Sequence, residues 1–395
     1  MKKKIVFMII NMNVGGTEKA LLNMISEIPK DKYDITILML EKYGGFLNSI
    51  PHEVHVKYLK GYEDIKDMLN SPPHITAINL FKKGNAIKAL NISAVYLASK
   101  VTKNKSIFFK YILRKYPKLK SEYDIAVAYA GPMDFISYFV VNKIKAKKKI
   151  QWIHFDITKI GFDKHFASKL YKKFNRIFVV SNEGRNKLIN VLPVLKERVE
   201  VFSNIISLKL IHDQAKENNG FNDSFDGIRI LTVGRLTSEK GQDLAIRALA
   251  RLKDDGYKVK WYCLGEGRAR KVYEKLIEEY NLQGEFILLG TDSNPYPYID
   301  QCNLYVQPSR HEGYCITLAE ARCLEKPIIT TDFTGAKEQI KNEETGLIVK
   351  VDEKEIYTAV KKLINNNHLC NEFSENLKKE SFENTFEMKK IYNLS

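Results

Sequence analysis

Two carboxylates, Glu312 and Glu320, stand eight residues apart in the run Gln307-Pro-Ser-Arg-His-Glu-Gly-Tyr-Cys-Ile-Thr-Leu-Ala-Glu320. The apolar Leu304-Tyr305-Val306 before them reads as a buried strand, and residues 316–321 favour helix. Gly313 lets the chain turn tightly between the two. Free amides at the start of that helix favour an anion such as phosphate. Carboxylates repel phosphate, so acids beside such a cradle suit neutral hydroxyl groups instead. The pattern points to a nucleotide-sugar, with phosphates on amides and sugar or ribose hydroxyls on the acids. A plain reading competes: one acid favoured by a helix dipole and one ordinary helical Glu. Two acids alone also suit a glycosidase pair.

Other loops offer complementary groups. Arg235 and Lys240 lie five apart in Val233-Gly-Arg-Leu-Thr-Ser-Glu-Lys-Gly241, after an apolar run. Arg makes bidentate contacts with oxygens and Lys acts as a point charge, so the two suit a diphosphate. Ordinary surface ion pairs, for instance to Glu239, are the alternative. A diphosphate clamp argues against a glycosidase. Gly15-Gly16-Thr17-Glu18 follows the first apolar run, where glycines permit close approach of a ligand and Thr17 is expected to cap the next helix. Gly265-Glu266-Gly267 lacks the third glycine of a dinucleotide fingerprint and reads as a turn. His154 ends a predicted strand and is placed to bond a sugar hydroxyl, or else to sit satisfied in the core. Asp156, two residues on, is expected to orient His154 or meet an acceptor. No Asp-x-Asp pair is evident and His311 is the histidine nearest the acids, so no metal or other cofactor is expected.

These groups need a scaffold. The chain has 395 residues, long enough for two domains, and 44% of it is apolar. Strands are expected at 5–10, 35–40, 54–59, 125–129, 150–154, 177–181 and 199–202, then at 228–233, 258–264, 286–289, 304–306, 327–331 and 346–349. Helices are expected at 18–28, 183–191, 242–253, 269–280, 316–324 and 353–365. Strand–helix alternation argues for parallel sheets covered on both faces. The fold class is α/β, with two doubly wound Rossmann-like domains at 1–205 and 206–379, and a helical segment at 380–395 that can pack back on the first domain. Each candidate motif falls at a strand's carboxyl end, where such sheets bind ligands.

Charge and cysteine usage bound the setting. The formal net charge is +16, and residues 81–120 hold eleven Lys or Arg with no Asp or Glu, interleaved with apolar side chains. Such a block suits an anionic membrane surface, or simply a solvated helical face. No recognition motif accompanies the charge, so nucleic acid is not an expected partner. Five cysteines without C-x-x-C spacing fit a reducing cytoplasm, with the basic block allowing a peripheral place on the inner face of the plasma membrane. The start, Met1-Lys2-Lys3-Lys4 before a six-residue apolar run, reads as a first strand rather than a leader.

Assembled, these residues resemble the retaining glycosyltransferases of the GT-B fold (glycosyltransferase family 4-like), the group that includes sucrose synthases and bacterial polysaccharide transferases. The likeness is strongest over 228–350. It rests on Glu312-Gly-Tyr-Cys-Ile-Thr-Leu-Ala-Glu320, on Pro327-Ile-Ile-Thr-Thr-Asp-Phe-Thr-Gly335-Ala-Lys-Glu338 and on Gly346-Leu-Ile-Val. Tyr314-Cys315 departs from the Phe-Gly or Phe-Pro that is frequent there. The resemblance implies that Arg235 and Lys240 neutralise a donor diphosphate, Glu320 holds ribose, Glu312 holds the sugar and His154 lies near the reacting carbon. It further implies that Gly15, Gly16, Gly313, Tyr314, Cys315 and the amides of Ile316 and Thr317 line the donor site. The expected reaction moves a sugar, with retention, from a nucleotide donor (UDP-linked) to a lipid-linked or polymeric saccharide of the cell surface. A nucleotide-sugar epimerase of the same fold, or a non-catalytic polybasic binding protein, is the alternative.

Overall fold

The computed structural model describes residues 2–82, 84–217, 220–380 and 385–393. Two parallel sheets organise them. In the first, β1 (Lys3–Ile9), β2 (Tyr33–Met39), β3 (His55–Tyr58), β4 (Glu122–Ala128), β5 (Lys145–Ile153), β6 (Arg176–Val179) and β7 (Val199–Val201) lie in the order 3-2-1-4-5-6-7. In the second, β8 (Ile228–Val233), β9 (Val259–Leu264), β10 (Phe286–Gly290), β11 (Leu304–Gln307), β12 (Ile328–Thr331) and β13 (Leu347–Val349) lie in the order 10-9-8-11-12-13. The central strands read as unbroken apolar runs because helices cover both faces. Ile5 to Ile9 of β1 and Leu304 to Val306 of β11 are fully or almost fully buried.

The helices follow from their apolar spacing and their caps. Gln242–Asp254 buries Ala245, Ile246, Ala248, Leu249 and Leu252, one stripe of a 3.6-residue period. Asp352 caps Glu353–Ile364 by accepting from the amides of Lys354 (2.8 Å) and Glu355 (3.2 Å). The cap expected from Thr17 is not made. The amide of Lys19 bonds the Gly15 carbonyl at 2.9 Å, so the helix Gly16–Glu27 starts two residues early and Thr17 lies inside its first turn. The basic block is not a single crossover element. It runs through the helices Pro73–Lys82, Ala86–Val101 and Lys105–Ile112, which join the core of the first domain through Ile92, Phe108, Phe109 and Ile112.

The two domains meet through several independent contacts. Ala20 of the helix Gly16–Glu27 packs into the apolar cluster of the second domain, beside Ile316 and Ala319. Tyr314 packs against the clusters of both domains. The Glu338 carboxylate accepts from the amides of Asn182 and Glu183, each at 2.9 Å, so a side chain of the second domain caps the helix Asn182–Val191 of the first. Asp156, Lys187 and Thr334 close a triangle, with Lys187 Nζ 2.8 Å from Asp156 and 2.6 Å from Thr334 Oγ1, which itself donates to Asp156 at 2.8 Å. Met388 and Ile391 of the helix Thr385–Tyr392 pack into the first domain, and Lys390 donates to the Val201 carbonyl at 2.7 Å.

Asp156 therefore serves the domain contact and does not orient His154. β5 ends at Ile153, so the alternation that placed the two side chains together stops before it reaches them. Burial pushes the Asp156 carboxyl up, but hydrogen bonds from Lys187, Thr158 and Thr334 outweigh it and hold the group down to about 2. A depressed carboxyl contributes stability that is present above its unfolded value and is lost as pH falls through the folded one. The Asp156 contribution to the domain contact should thus disappear as pH drops from the ordinary value of 3.8 toward about 2. Acid titration of Asp156→Asn beside the parent, read by thermal melting, checks this: the acid-dependent loss should be smaller in the variant.

Candidate functional site

Loops after β8 and β11, the two strands at the second sheet's switch point, build the second domain's half of the site. Gly241, at φ +72°, turns the first of these loops against the second; a Cβ there would overlap the Pro308 carbonyl. Arg310 then stitches the loops together, donating to both oxygens of Asp243 at 2.7 and 2.6 Å and to the Ser238 carbonyl at 2.7 Å. This approach brings Lys240 Nζ to 2.5 Å from Glu312 Oε1, which also accepts from Ser309 Oγ at 2.8 Å. Both side chains are largely buried. Burial alone would lower the Lys240 ammonium's affinity for its proton, but the Glu312 carboxylate raises it overall, so the cation is retained.

Arg235 is placed differently. Its side chain is 55% exposed and its guanidinium is 3.9 Å from Glu239, while its charge acts on both Lys240 and Glu18. The structure thus brings Arg235 to the gap between the domains, with Lys240 engaged by Glu312 rather than offered as a free second cation. Cys315 precedes the helix Ile316–Cys323 with φ +62°, a left-handed geometry that costs a side chain about 1–3 kcal/mol. Gln339 restrains that turn by donating to the carbonyls of Tyr314 and Cys315. Thr317 Oγ1 lies 3.3 Å from Gln307 Oε1. Glu320 is fully buried on the same helix and accepts from Tyr296 Oη at 2.9 Å.

The first domain supplies the facing half. Gly16 begins its helix against Ile316: a Cβ on Gly16 would be 3.3 Å from Ile316 Cγ2. Gly15 precedes it as the N-cap. Lys19, one turn along, reaches across the gap to lie 4.9 Å from the centre of the Tyr296 ring and to act on Glu320. Burial lowers the Lys19 pKa and raises that of Glu320, while each one's charge opposes the shift of the other. Burial also pushes the Glu18 carboxyl up to about 7, against a backbone hydrogen bond and the charge of Arg235. Sequence reading missed Lys19, Tyr296 and Ser309. Adjacency of Lys19 to the glycine pair was the available signal; nothing near Tyr296 marks it.

His154 lies just past β5, under the acid loop. Gly313 has no Cβ because one would overlap the His154 carbonyl, so the two domains touch backbone to backbone here. The ring packs 4.5 Å from Tyr129 and 6.2 Å from Trp152, centre to centre. Burial lowers its pKa to about 3, outweighing a hydrogen bond to the Tyr129 backbone. Nε2 is buried with no protein partner, and a buried polar atom left this way is a natural anchor for a ligand hydroxyl. Among the described residues, no group of three or more His, Cys, Asp or Glu is placed to hold a metal ion.

Residues 213–380 match the family described as "Glycosyl transferases group 1". Across 99% of its length the chain also superposes on 98% of Anabaena HepE, solved in complex with UDP and glucose, at a TM-score of 0.70 and 15% identity. The chain has the GT-B fold, and its second half is similar to the glycosyl transferases of group 1. Among relatives of this GT-B chain, the N-acetylgalactosamine-N,N'-diacetylbacillosaminyl-diphospho-undecaprenol 4-alpha-N-acetylgalactosaminyltransferase of Campylobacter jejuni is 34% identical over 209 residues, 52% of this chain and 55% of that protein. The capsular polysaccharide biosynthesis glycosyltransferase CapM of Staphylococcus aureus is 26% identical over 276 residues, 67% of this chain and 72% of that one. The GT-B chain spans about half the length of the first curated relatives it matches.

A histidine pushed down to about 3 stays neutral through the physiological range. In an NMR titration of the imidazole signals, the His154 resonances should not move between about pH 5 and 8, where ordinary histidines titrate. A midpoint near the usual 6.5 would contradict the burial of this ring.

Proposed function

We propose that the chain is a retaining glycosyltransferase that moves a sugar from a nucleoside-diphosphate donor, UDP-linked, to a hydroxyl of a lipid-linked or polymeric saccharide in cell-surface polysaccharide synthesis. The observation that carries this reading is the meeting of Arg235, Lys240, Glu312 and Glu320 at one sheet's switch point, facing Gly16 and His154 of the other domain. UDP in the HepE complex and the lipid-linked and capsular saccharides in the relatives' names support the choice of donor and acceptor.

The charges then have a sequence of uses. An arriving diphosphate draws Lys240 away from Glu312 and adds Arg235, so the carboxylate is released to accept from hydroxyls of the transferred sugar. Glu320, backed by Tyr296, takes the ribose hydroxyls once Lys19 moves aside. As the donor bond breaks, negative charge grows on the departing diphosphate. Arg235, Lys240 and the amides of Ile316 and Thr317, beside the turn through Gly313, Tyr314 and Cys315, stabilise it in place. No metal is needed for that. Neutral His154 holds the sugar near its reacting carbon through Nε2. Attack from the same face as departure, with the acceptor's proton passing to the leaving phosphate oxygen, retains the anomeric configuration. The work is placed on the cytoplasmic side of a membrane.

Arg235→Ala and Lys240→Ala should each lower turnover by about 10²-fold or more, the usual scale of a lost electrostatic contact in a transition state. Nucleotide release is the assay, and near-normal rates in both variants would remove the clamp. A thermal-shift screen of UDP-, GDP-, ADP- and dTDP-sugars identifies the donor, because a ligand that binds the native state raises apparent stability by mass action. UDP-sugars should give the largest shift.

A further inference from the structure

The helix Ala86–Val101 has two apolar faces. Ala89, Ile92 and Ser99 are buried against the first domain. On the opposite side Ile87, Leu90, Ala94, Leu97 and Val101 recur every three or four residues, and all are exposed. Ile87 is 79% exposed, Leu90 61%, Leu97 64% and Val101 76%, so the stripe forms one contiguous uncovered apolar face. The neighbouring helix Pro73–Lys82 adds Ile75, Ile78 and Phe81, each about half exposed. The sequence pattern required neither face to be open; the packing decided which one is.

Cations share this segment of the chain. Lys82, Lys88, Lys100, Lys103 and Lys110 are all exposed, and residues 81–120 contain no acid. We propose that this face of the first domain docks on an anionic lipid bilayer, with Ile87, Leu90, Leu97 and Val101 entering the headgroup–acyl boundary and the lysines contacting lipid phosphates. An exposed apolar stripe within a lysine-rich, acid-free segment is the pattern of an interfacial helix. No helix among the described residues is long and apolar enough to cross a membrane, so contact is from one side. A second copy of the chain is a poor occupant, because a symmetric contact would set the same acid-free, lysine-rich blocks against each other.

The docking face also has a bearing on the cleft. Lys105 pairs with Asp134, the first residue of the helix Asp134–Lys143, which follows the carboxyl end of β4. β4 neighbours β5, the strand that delivers His154. The lipid face is therefore tied to the first-domain side of the site, where a saccharide carried on a lipid would arrive. The docking itself stands apart from the transfer reaction and is measured without it.

Vesicle flotation tests the proposal with the full chain. The protein should float with phosphatidylcholine–phosphatidylglycerol vesicles, stay behind with phosphatidylcholine alone, and be released by salt. Replacing Ile87, Leu90, Leu97 and Val101 together by Gln should lower the partition coefficient by roughly tenfold or more. The Lys88→Gln, Lys100→Gln, Lys103→Gln variant should lower it by about a hundredfold. Both sets are exposed, so melting temperatures should stay at the parent value, and loss of binding in a variant that melts normally supports docking. No flotation of the parent protein on the anionic vesicles would overturn the proposal. Undiminished binding by the apolar variant would do so too, since it would mark adsorption without insertion. A parent dimer in gel filtration that the four apolar substitutions dissociate would assign the stripe to a second copy and overturn it as well.

Discussion

Lys240 and Glu312 are each largely withdrawn from water, and neither could be so alone. An uncompensated buried charge costs several kcal/mol, while a close and hydrogen-bonded partner returns much of it. The 2.5 Å pair, with Ser309 as a further donor to the carboxylate, is what lets the loops after β8 and β11 lie together in the interior of the second domain. The Arg310–Asp243 pair and the left-handed Gly241 support the same approach. Glu320 meets the same requirement in another way, through the Tyr296 hydroxyl and the positive field of Lys19 from the opposite domain. A charged ligand can enter such a site by exchanging partners, and Lys240, Glu312 and Glu320 are already oriented and withdrawn from water.

The domain contact depends on backbone as much as charge. Gly313 and the His154 carbonyl touch, Gly16 abuts Ile316, and Tyr314 is shared between two cores. These contacts set the acid loop directly over the end of β5. Around them, Glu338 caps a helix of the other domain and Asp156, Lys187 and Thr334 form a closed triangle. The exposed Glu338 cap exchanges with water at modest cost, which suits a cleft that must open to admit a ligand, whereas the buried Asp156 holds its triangle more firmly. The apolar patch shared through Ala20 and Ile316 suits the role of a more persistent contact.

Much of this was legible in the chain. The thirteen expected strands all appear among the described residues, because buried parallel strands are short apolar runs bounded by turns. The acid pair and the basic loop could be placed at strand ends by the same pattern. The readings that went astray were those needing a backbone boundary to within a residue. Thr17 missed its cap because the helix began at Gly16, and Asp156 left His154 because β5 stopped at Ile153. Lys19 and Tyr296 come from different domains, and no local pattern pairs residues so far apart.

The amino-acid order by itself determined the class of fold, the number of sheets and the chemical types at each strand end, since hydrophobic period and turn residues act over a few neighbours. Tertiary structure alone decided which charges meet: that Lys240 rests on Glu312, that Lys19 crosses to Tyr296 and Glu320, and that His154 loses its proton affinity beneath Gly313. It also decided which of the two apolar faces of the helix Ala86–Val101 is left open. The reason is that burial and electrostatic pairing depend on distance in space, and residues distant along the chain are brought within a few ångströms only once the two sheets have been packed and faced together.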